Sequence, residues 1–220
     1  MTDRLIALVP AFNEAGHVAD VVARARPHVS EVLVVDDGST DDTAARAQAA
    51  GATVTRHPAN RGKGAAIVTA LQFFQKSDAE YAVLLDADGQ HDPGEIPRLL
   101  EAAKTTGAAI VVGNRMDDTR GMPLVRLWTN QFTSWVTGKL ARQTIPDSQC
   151  GFRLLRRAVL ADLALAGGRF ETETEMLIQA GRAGHKIASA HVRTIYSGES
   201  SHINPLRDTV RFFKLVRKYW

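Results

Sequence analysis

The fold of this chain is constrained most strongly by short apolar runs that alternate with helical periodicity through its first half. Residues 5–9 and 32–35 are continuous apolar runs typical of buried strands, and residues 14–26 between them carry apolar side chains at helical spacing. The alternation continues with predicted helices at 42–50, 64–74 and 93–104 and predicted strands at 53–56, 81–85 and 108–112. Continuous apolar strands separated by helices indicate an α/β fold, a mostly parallel open sheet with helices on both faces.

The second half of the sequence is less regular. It predicts helices at 124–140 and 173–182, strands at 152–156 and 187–195, and an amphipathic C-terminal helix at 206–220. No repeat and no low-complexity linker interrupts the pattern, so residues 1–220 are expected to form a single domain.

Composition narrows the class of protein. The chain is 45% apolar and 23% charged, which is ordinary for a globular protein and excludes general disorder. Its net charge of +3 is too small to indicate nucleic-acid binding. The single Cys150 has no internal disulfide partner and no secretory signal precedes the first strand, which favours a reducing, cytoplasmic setting. No apolar stretch approaches the ~18 residues that a membrane span needs, so the sequence predicts a soluble protein or one on a membrane surface.

An acidic pair follows the predicted strand 81–85. Asp86 and Asp88 are two residues apart, so in an extended segment their carboxylates would point the same way. A nucleoside diphosphate is held through Mg²⁺ or Mn²⁺ by such hard oxygen ligands, and the ion neutralises charge on the leaving group. A calcium-binding EF-hand loop is excluded because His91 and Pro97 stand where Gly and Glu are required. Asp92 is expected to cap the helix that begins at Pro93.

Three further polar segments follow predicted strands. Asp36 and Asp37 can accept hydrogen bonds from ribose or base, although turn chemistry and a helix cap at Thr40 or Asp41 explain the segment equally well. Residues 9–14 end a strand at a proline, and Asn13 is a candidate cap for the next helix.

The fourth segment, residues 60–64 (Asn-Arg-Gly-Lys-Gly), opens a helix. It offers backbone N–H groups, two cations including Lys63 and the positive end of the helix to an anion. A P-loop is excluded because His57 replaces its first Gly and Gly64 its Ser or Thr. All of these segments lie at carboxyl ends of predicted strands, where open α/β sheets bind ligands.

Together these segments resemble the family 2 glycosyltransferases, and among them the polyprenyl-phosphate sugar transferases most of all. The resemblance covers nearly the whole chain, with matching stretches at 9–14, 35–41, 60–64, 86–93, 113–115, 147–153, 170–173 and 196–220. It implies the GT-A fold, with a nucleotide-sugar-binding half at 1–115 and an acceptor-side half at 116–220.

The resemblance also implies roles for individual residues. Asp88 and Gln90 would bind the metal, Arg115 would contact a phosphate of donor or acceptor, and Arg126 is placed with it. The nucleotide pocket would be formed by Pro10, Phe12, Glu14, Asp37, Lys63 and Asp86. One departure lies at Ser201 and His202, where the family often has Ser-Lys. Because histidine is mostly neutral at pH 7, this change predicts weaker binding of an acceptor phosphate, or a different acceptor.

The predicted C-terminal helix has an apolar stripe beside a basic stripe formed by Arg207, Arg211, Lys214 and Lys218. Such a helix suits an anionic membrane surface. It equally suits packing of its apolar face on the core with a solvated basic face.

The predicted reaction is transfer of a hexosyl group, with inversion, from a nucleotide-diphosphate sugar of the GDP-mannose or UDP-glucose type to a polyprenyl phosphate at the inner face of the membrane. Its cofactor would be Mg²⁺ or Mn²⁺ at Asp88. Asp147 or Glu171 would act as general base if the acceptor were a hydroxyl. Three alternatives remain open: a hydroxyl acceptor, a sugar-1-phosphate nucleotidyltransferase, and a non-catalytic module that only binds the nucleotide sugar.

Overall fold

The computed structural model describes residues 4–117, 124–164, 171–193, 212 and 214–220, without the side chains of Arg126 and Glu171. One seven-stranded sheet organises the chain, and its order is β3-β2-β1-β4-β6-β5-β7. The strands are β1 Leu5–Ala11, β2 Glu31–Asp36, β3 Thr53–Arg56, β4 Tyr81–Leu84, β5 Ile110–Asn114, β6 Arg153–Arg156 and β7 Ile187–His191. Neighbouring strands run parallel except β6, which is antiparallel to both β4 and β5. The predicted α/β fold with a mostly parallel sheet is therefore confirmed.

Helices cover the sheet, and each α-helix follows a strand or a loop from a strand end. They are α1 Val18–Ala25, α2 Thr43–Ala49, α3 Lys63–Lys76, α4 Ile96–Thr106, α5 Leu124–Ala141 and α6 Glu171–Arg182. Short 3₁₀ helices lie at Arg26–His28, Pro93–Glu95 and Arg157–Asp162. The chain is also helical at residues 212 and 214–219, whereas residues 206–211 and 213 of the predicted C-terminal helix lie outside the described part. None of the described helices is both long and apolar enough to cross a membrane.

The core forms where the sequence predicted it, because the strands of the sheet centre are apolar on both faces. Every residue of β1 and β4 is buried. The apolar face of α1 is buried through Val18, Val21, Val22 and Ala25, which have the helical spacing read from the sequence. Tight burial at this centre fixes the strands, and hence the loops at their carboxyl ends.

Some predicted boundaries and caps are wrong. Helix α1 begins at Val18, since residues 15–17 form a turn. Asn13 does not cap it, because its φ is +56° and its side-chain oxygen accepts a hydrogen bond from Thr40 N at 2.9 Å. The predicted cap at Asp92 is confirmed, since its Oδ1 accepts from Gly94 N at 2.9 Å.

Strand β6 brings the two halves of the chain into one sheet. Its first residue, Arg153, is paired with Leu84 at the carboxyl end of β4 and with Val112 near the carboxyl end of β5. Because β6 runs against its neighbours, the residues just before it lie beside the residues that follow β4 and β5. This insertion carries residues 147–152 to the ligand-binding edge of the sheet.

Gly113 in β5 lies where this insertion packs most tightly. A Cβ there would be 2.8 Å from Val192 Cγ2, 2.9 Å from Cys150 Sγ and 3.1 Å from the carbonyl oxygen of Phe152. We expect Gly113→Ala to lower the free energy of unfolding by about 1–3 kcal/mol, because the added methyl overpacks a rigid core. Urea denaturation measures this change.

The matched control is Gly16→Ala, since a Cβ at Gly16 meets no atom within 4 Å. Its unfolding midpoint should stay within error of the parent protein. Equal stability of the Gly113 and Gly16 variants would show that the strand contacts are looser than described.

Candidate active site

The polar segments of the first half meet at one edge of the sheet. Strands β1, β2 and β4 are parallel neighbours, so the residues after Ala11, Asp36 and Leu84 emerge side by side. The loops are also bonded to each other, since Asn13 N donates to Ser39 Oγ at 2.9 Å and Glu14 N donates to Thr43 Oγ1 at 2.8 Å. The predicted convergence of these segments at the carboxyl ends of the strands is therefore present.

Asp86 is the centre of a charged cluster. Its Oδ1 is 2.7 Å from Lys63 Nζ, and the same ammonium is 3.2 Å from Glu173 Oε2. His91 Nε2 lies 3.9 Å from the other oxygen of Asp86. Lys63 is the first residue of α3, directly after Gly62, whose φ of +95° a residue with a side chain rarely adopts. The glycine-containing loop thus aims a lysine from α3 at a carboxylate from β4.

The cluster is charged in its resting form. Burial opposes the charged form of Lys63, but Asp86 and Glu173 outweigh it, so the pKa of Lys63 lies above its ordinary value. Burial likewise opposes ionisation of Asp86, yet the charges of Lys63 and its other neighbours hold the pKa of Asp86 below its ordinary value. An ammonium and two carboxylates are therefore held together in a partly buried pocket.

Asp88 differs from Asp86 although only one residue separates them. It lies in a turn after the strand, and its Oδ1 accepts from Gln90 N at 2.9 Å. Burial and then the negative charge of Asp86 raise the pKa of Asp88 above its ordinary value. Asp88 is thus a carboxylate on which burial and the charge of Asp86 outweigh the nearby positive charge of Lys63 and His17.

A divalent cation fits this arrangement together with a diphosphate. Among the described residues, no group of three or more His, Cys, Asp or Glu side chains is placed to hold a metal by itself. Mg²⁺ does not need such a group, since it is commonly bound by one or two carboxylates plus substrate phosphates and water. Asp88 and Gln90 carry oxygen ligands of that kind and lie in the same turn, and their role as metal ligands stays a prediction.

The carboxylate of Asp37 is engaged by hydrogen bonds from other residues of this chain. Its carboxylate accepts from Gly62 N at 2.7 Å and from Arg61 N at 3.0 Å, and it lies 2.6 Å from His57 Nδ1. The far nitrogen of His57 is 2.9 Å from Thr69 Oγ1 on α3. Asp37 is buried and holds the loop that presents Lys63, so its predicted contact with nucleotide stays a prediction.

Arg115 and Asp147 form a buried pair. The Arg115 Nε and Nη2 donate to the two oxygens of Asp147 at 2.7 and 3.0 Å, and Gln149 N donates to the same carboxylate at 3.2 Å. Burial disfavours the charged guanidinium, but the hydrogen bonds and charge of Asp147 raise the pKa of Arg115 above its ordinary value. Arg115 is therefore a permanent cation, and both Asp147 oxygens are engaged.

Arg153 anchors the inserted segment. Sequence reasoning assigned Arg153 no role beyond its place in the matching stretch 147–153. Its guanidinium donates to the carbonyl oxygens of Cys150 and Ser148 at 2.8 Å each and to that of Glu173 at 2.5 Å, and it is fully buried. It thereby ties residues 148–150 to α6, the helix that carries Glu173.

Gly151 lies against Asp86. A Cβ at Gly151 would be 2.6 Å from Asp86 Oδ2, so the glycine leaves room for that carboxylate. The adjacent Cys150 is fully buried, and burial raises the pKa of its thiol to about 12, which makes it an inert packing residue.

The remaining predicted site residues are distributed as follows. Pro10 is buried within β1, Phe12 is 43% exposed just beyond that strand, and Glu14 is half-buried beside it. Ser201 and His202 lie outside the described residues, as do the side chains of Arg126 and Glu171. The roles given to these residues stay predictions.

Four residues of the site were not singled out from the sequence: His57, His91, Arg153 and Glu173. His91 stacks on Phe152 with ring centroids 5.3 Å apart, and burial lowers the pKa of His91 to about 4. No spacing rule finds such residues, because each of them has a partner in a distant segment: Phe152 for His91, Asp37 for His57 and Glu173 for Arg153. Glu173 was quoted in a matching stretch, and its pairing with Lys63 needs the fold.

Known proteins resemble this chain over most of its length. The model of Glycosyl transferase family 2 matches residues 6–164. UDP-N-acetylglucosamine--dolichyl-phosphate N-acetylglucosaminyltransferase of Methanococcus voltae is 30% identical over 90% of this chain and 88% of that protein. Polyprenol monophosphomannose synthase of Mycolicibacterium smegmatis is 32% identical over 75% of this chain and 66% of that protein.

A solved structure supports the same fold. Glucosyl-3-phosphoglycerate synthase of Mycobacterium tuberculosis, in its complex with Mn²⁺ and UDP-glucose, has a TM-score of 0.72 at 22% identity and covers 97% of this chain and 76% of that one. The matched family model, the two relatives and the shared architecture together identify the chain: it belongs to glycosyltransferase family 2 and has the GT-A fold.

Proposed function

We propose that this glycosyltransferase moves a hexosyl group from a nucleotide-diphosphate sugar to a polyprenyl phosphate at a membrane surface. The observation that carries the proposal is the meeting of Asp86, Asp88 and Lys63 at the carboxyl edge of the sheet. The two named relatives act on dolichyl phosphate and polyprenol phosphate, which supports this class of acceptor. The nucleotide-sugar donor is supported by the UDP-glucose complex of the similar structure.

On the donor side, the exposed ring of Phe12 offers a face for a nucleobase, and Glu14 lies next to it. Asp37 orients the 60–64 loop, and Lys63 brings positive charge next to Asp86. Asp88 and Gln90 are the proposed ligands of the divalent cation. When bound, that ion neutralises charge on the departing diphosphate.

On the acceptor side, Arg115 supplies a buried cation near residues 147–150. Asp147 is poorly suited to act as general base, because both of its oxygens accept hydrogen bonds from Arg115. A phosphate acceptor needs no base, since it is already an anion at pH 7. This pairing therefore favours a phosphate over a hydroxyl acceptor.

In the proposed reaction the acceptor phosphate oxygen attacks the anomeric carbon as the bond to the diphosphate breaks on the opposite side. The products are a polyprenyl-phosphate sugar of inverted configuration and a nucleoside diphosphate. We also propose that residues 1–115 form the nucleotide-sugar-binding half and residues 116–220 the acceptor-side half, with Arg115 at their boundary facing the acceptor. The proposed location is peripheral, on the cytoplasmic face of the membrane, and the relatives that act on lipid phosphates support a membrane surface.

A panel of donors tests the proposed reaction directly. GDP-mannose, UDP-glucose and UDP-N-acetylglucosamine are each incubated with Mg²⁺ or Mn²⁺, with and without a short polyprenyl phosphate. Release of nucleoside diphosphate that depends on the acceptor is expected with one of them. Release of pyrophosphate would instead indicate a nucleotidyltransferase. Release of nucleoside diphosphate that only a hydroxyl acceptor stimulates would show that the acceptor is a hydroxyl. Binding of the donor without release would indicate a non-catalytic module.

Asp88→Asn tests the metal assignment. The substitution keeps the shape of the side chain and removes its charge, so we expect turnover to fall by at least about 10²-fold with donor saturating. Chelation of divalent ions with EDTA should reduce the parent protein to the same level. Nucleoside diphosphate release measures both effects.

Glu101→Gln is the control, because Glu101 is an exposed carboxylate on α4 away from the strand ends. It should keep parent activity. If the Asp88 variant kept full activity in the presence of EDTA, the proposed metal role of Asp88 would be wrong.

Gly151→Ala tests whether the position of the Asp86 carboxylate matters. The new methyl would lie 2.6 Å from Oδ2 of Asp86 and would displace that carboxylate, whose Oδ1 contacts Lys63. Because a displacement of about 1 Å at a reacting site can cost 10²-fold, we expect kcat/KM for the donor to fall by about 10- to 100-fold. Steady-state kinetics measures this fall, and the Gly16→Ala variant again serves as control.

Unchanged kcat/KM in a folded Gly151→Ala protein would show that Asp86 does not contact the donor or its metal. Circular dichroism distinguishes this outcome from a variant that fails to fold.

A further inference from the structure

Residues 124–135 of helix α5 present an exposed apolar stripe, whereas an ordinary surface helix buries its apolar side. Five large apolar side chains are each at least half exposed, and they follow one stripe: Leu124, Val125, Trp128, Phe132 and Trp135. At about 100° per residue, these five fall within roughly a 100° arc of the helix circumference. Three polar side chains, Asn130, Ser134 and Thr137, are instead buried on the other side.

The buried polar side of α5 contacts the acceptor side of the site. Ser134 Oγ accepts a hydrogen bond from Ser148 N at 2.8 Å and lies 3.2 Å from Ser148 Oγ. Ser148 follows Asp147, whose carboxylate is paired with Arg115. One helix therefore separates the candidate site from the exposed apolar stripe, a distance of about 10–12 Å, the diameter of an α-helix with its side chains.

The surroundings of the stripe are basic. Between residues 119 and 146 the sequence has no Asp or Glu, and Lys139 and Arg142 are exposed at the end of α5. The C-terminal helical residues pack next to α5, because Leu215 joins Val136, Leu140 and Ile178 in a separate apolar cluster. Residues 209–220 also contain no acid, and Lys214, Arg217 and Trp220 are exposed there.

We propose that the α5 stripe, with the adjoining C-terminal cations, is the surface on which the protein docks to an anionic lipid bilayer. Tryptophan and phenylalanine favour the interface between headgroups and acyl chains, and lysine and arginine favour anionic headgroups. An exposed apolar patch of aromatic residues, on a helix that itself carries no acid, matches that environment. This inference rests on the proposed function, and it explains how the site reaches a phosphate at the end of a lipid chain.

A second copy of this chain fits the α5 stripe less well than a lipid bilayer does. A twofold dimer through the stripe would bring the same basic residues of both copies together, and like charges at an interface oppose association. A bilayer with anionic lipids offers both an apolar region for the stripe and negative headgroups for the cations.

Vesicle binding tests the proposal. The parent protein should co-sediment with vesicles of phosphatidylcholine and phosphatidylglycerol, bind less to phosphatidylcholine alone, and lose affinity as salt rises. The triple variant Trp128→Ser, Phe132→Ser, Trp135→Ser should bind at least about tenfold more weakly. The control is Thr129→Ala with Gln131→Ala, since both residues are exposed on α5 but flank the stripe.

Tryptophan emission gives a second readout. The chain has three tryptophans, and Trp128, Trp135 and Trp220 are all exposed on these two helices. Their emission should shift to the blue when anionic vesicles are added.

Three results would each overturn the membrane proposal: equal vesicle binding by the parent and the triple variant, no blue shift, or a lipid-free dimer that the triple variant abolishes without any vesicle binding by the parent. Transfer to a short, water-soluble polyprenyl phosphate separates this proposal from the function itself. The triple variant should retain that transfer. Absence of transfer in the parent protein would refute the proposed function. The vesicle-binding result would still test the docking surface on its own.

Discussion

The contact of Lys63 with Asp86 and Glu173 is the interaction on which the rest of the site depends. The ammonium joins a loop after β4 to helix α6, and thus the first half of the chain to the second. Two partly buried carboxylates without a cation between them would repel each other and resist burial. Lys63 therefore permits an acidic surface to stay assembled before any donor binds. Its own position depends on Asp37, which fixes the preceding loop through Arg61 and Gly62.

The antiparallel strand β6 determines which residues can meet this cluster. A purely parallel sheet would leave residues 147–152 far from the ends of β4 and β5, because each connection would return the chain to the opposite edge. Insertion of β6 reverses that direction, so Gly151 lies against Asp86 and Asp147 pairs with Arg115. Arg153 then holds the inserted segment on α6 with three carbonyl contacts. Two groups of candidate site residues, one around Asp86 and one around Asp147, are thus joined by one local departure from the parallel pattern.

The sequence predicted what depends on local periodicity and failed where distant segments decide. The strands of the sheet centre and the inward face of α1 followed from apolar spacing, and the convergence of the acidic segments followed from strand direction. Asn13 was taken for a helix cap, yet its side chain bonds to Thr40 in a loop 27 residues away. The hydrogen-bond partners of Asp37 and the position of β6 in the sheet were missed for the same reason. Both depend on contacts between segments far apart in the sequence, which no short window of residues indicates.

Helix α5 connects the candidate site to the protein surface, because its two sides have different neighbours. Asn130, Ser134 and Thr137 face inward, and Ser134 bonds to the segment that carries Asp147, while the apolar stripe of residues 124–135 faces outward. An ordinary helix would expose the polar side and bury the apolar one. An exposed apolar stripe lowers solubility unless another surface covers it. In the proposed docking, a lipid bilayer would cover the stripe without any change of fold and would hold the acceptor phosphate about one helix diameter from the site.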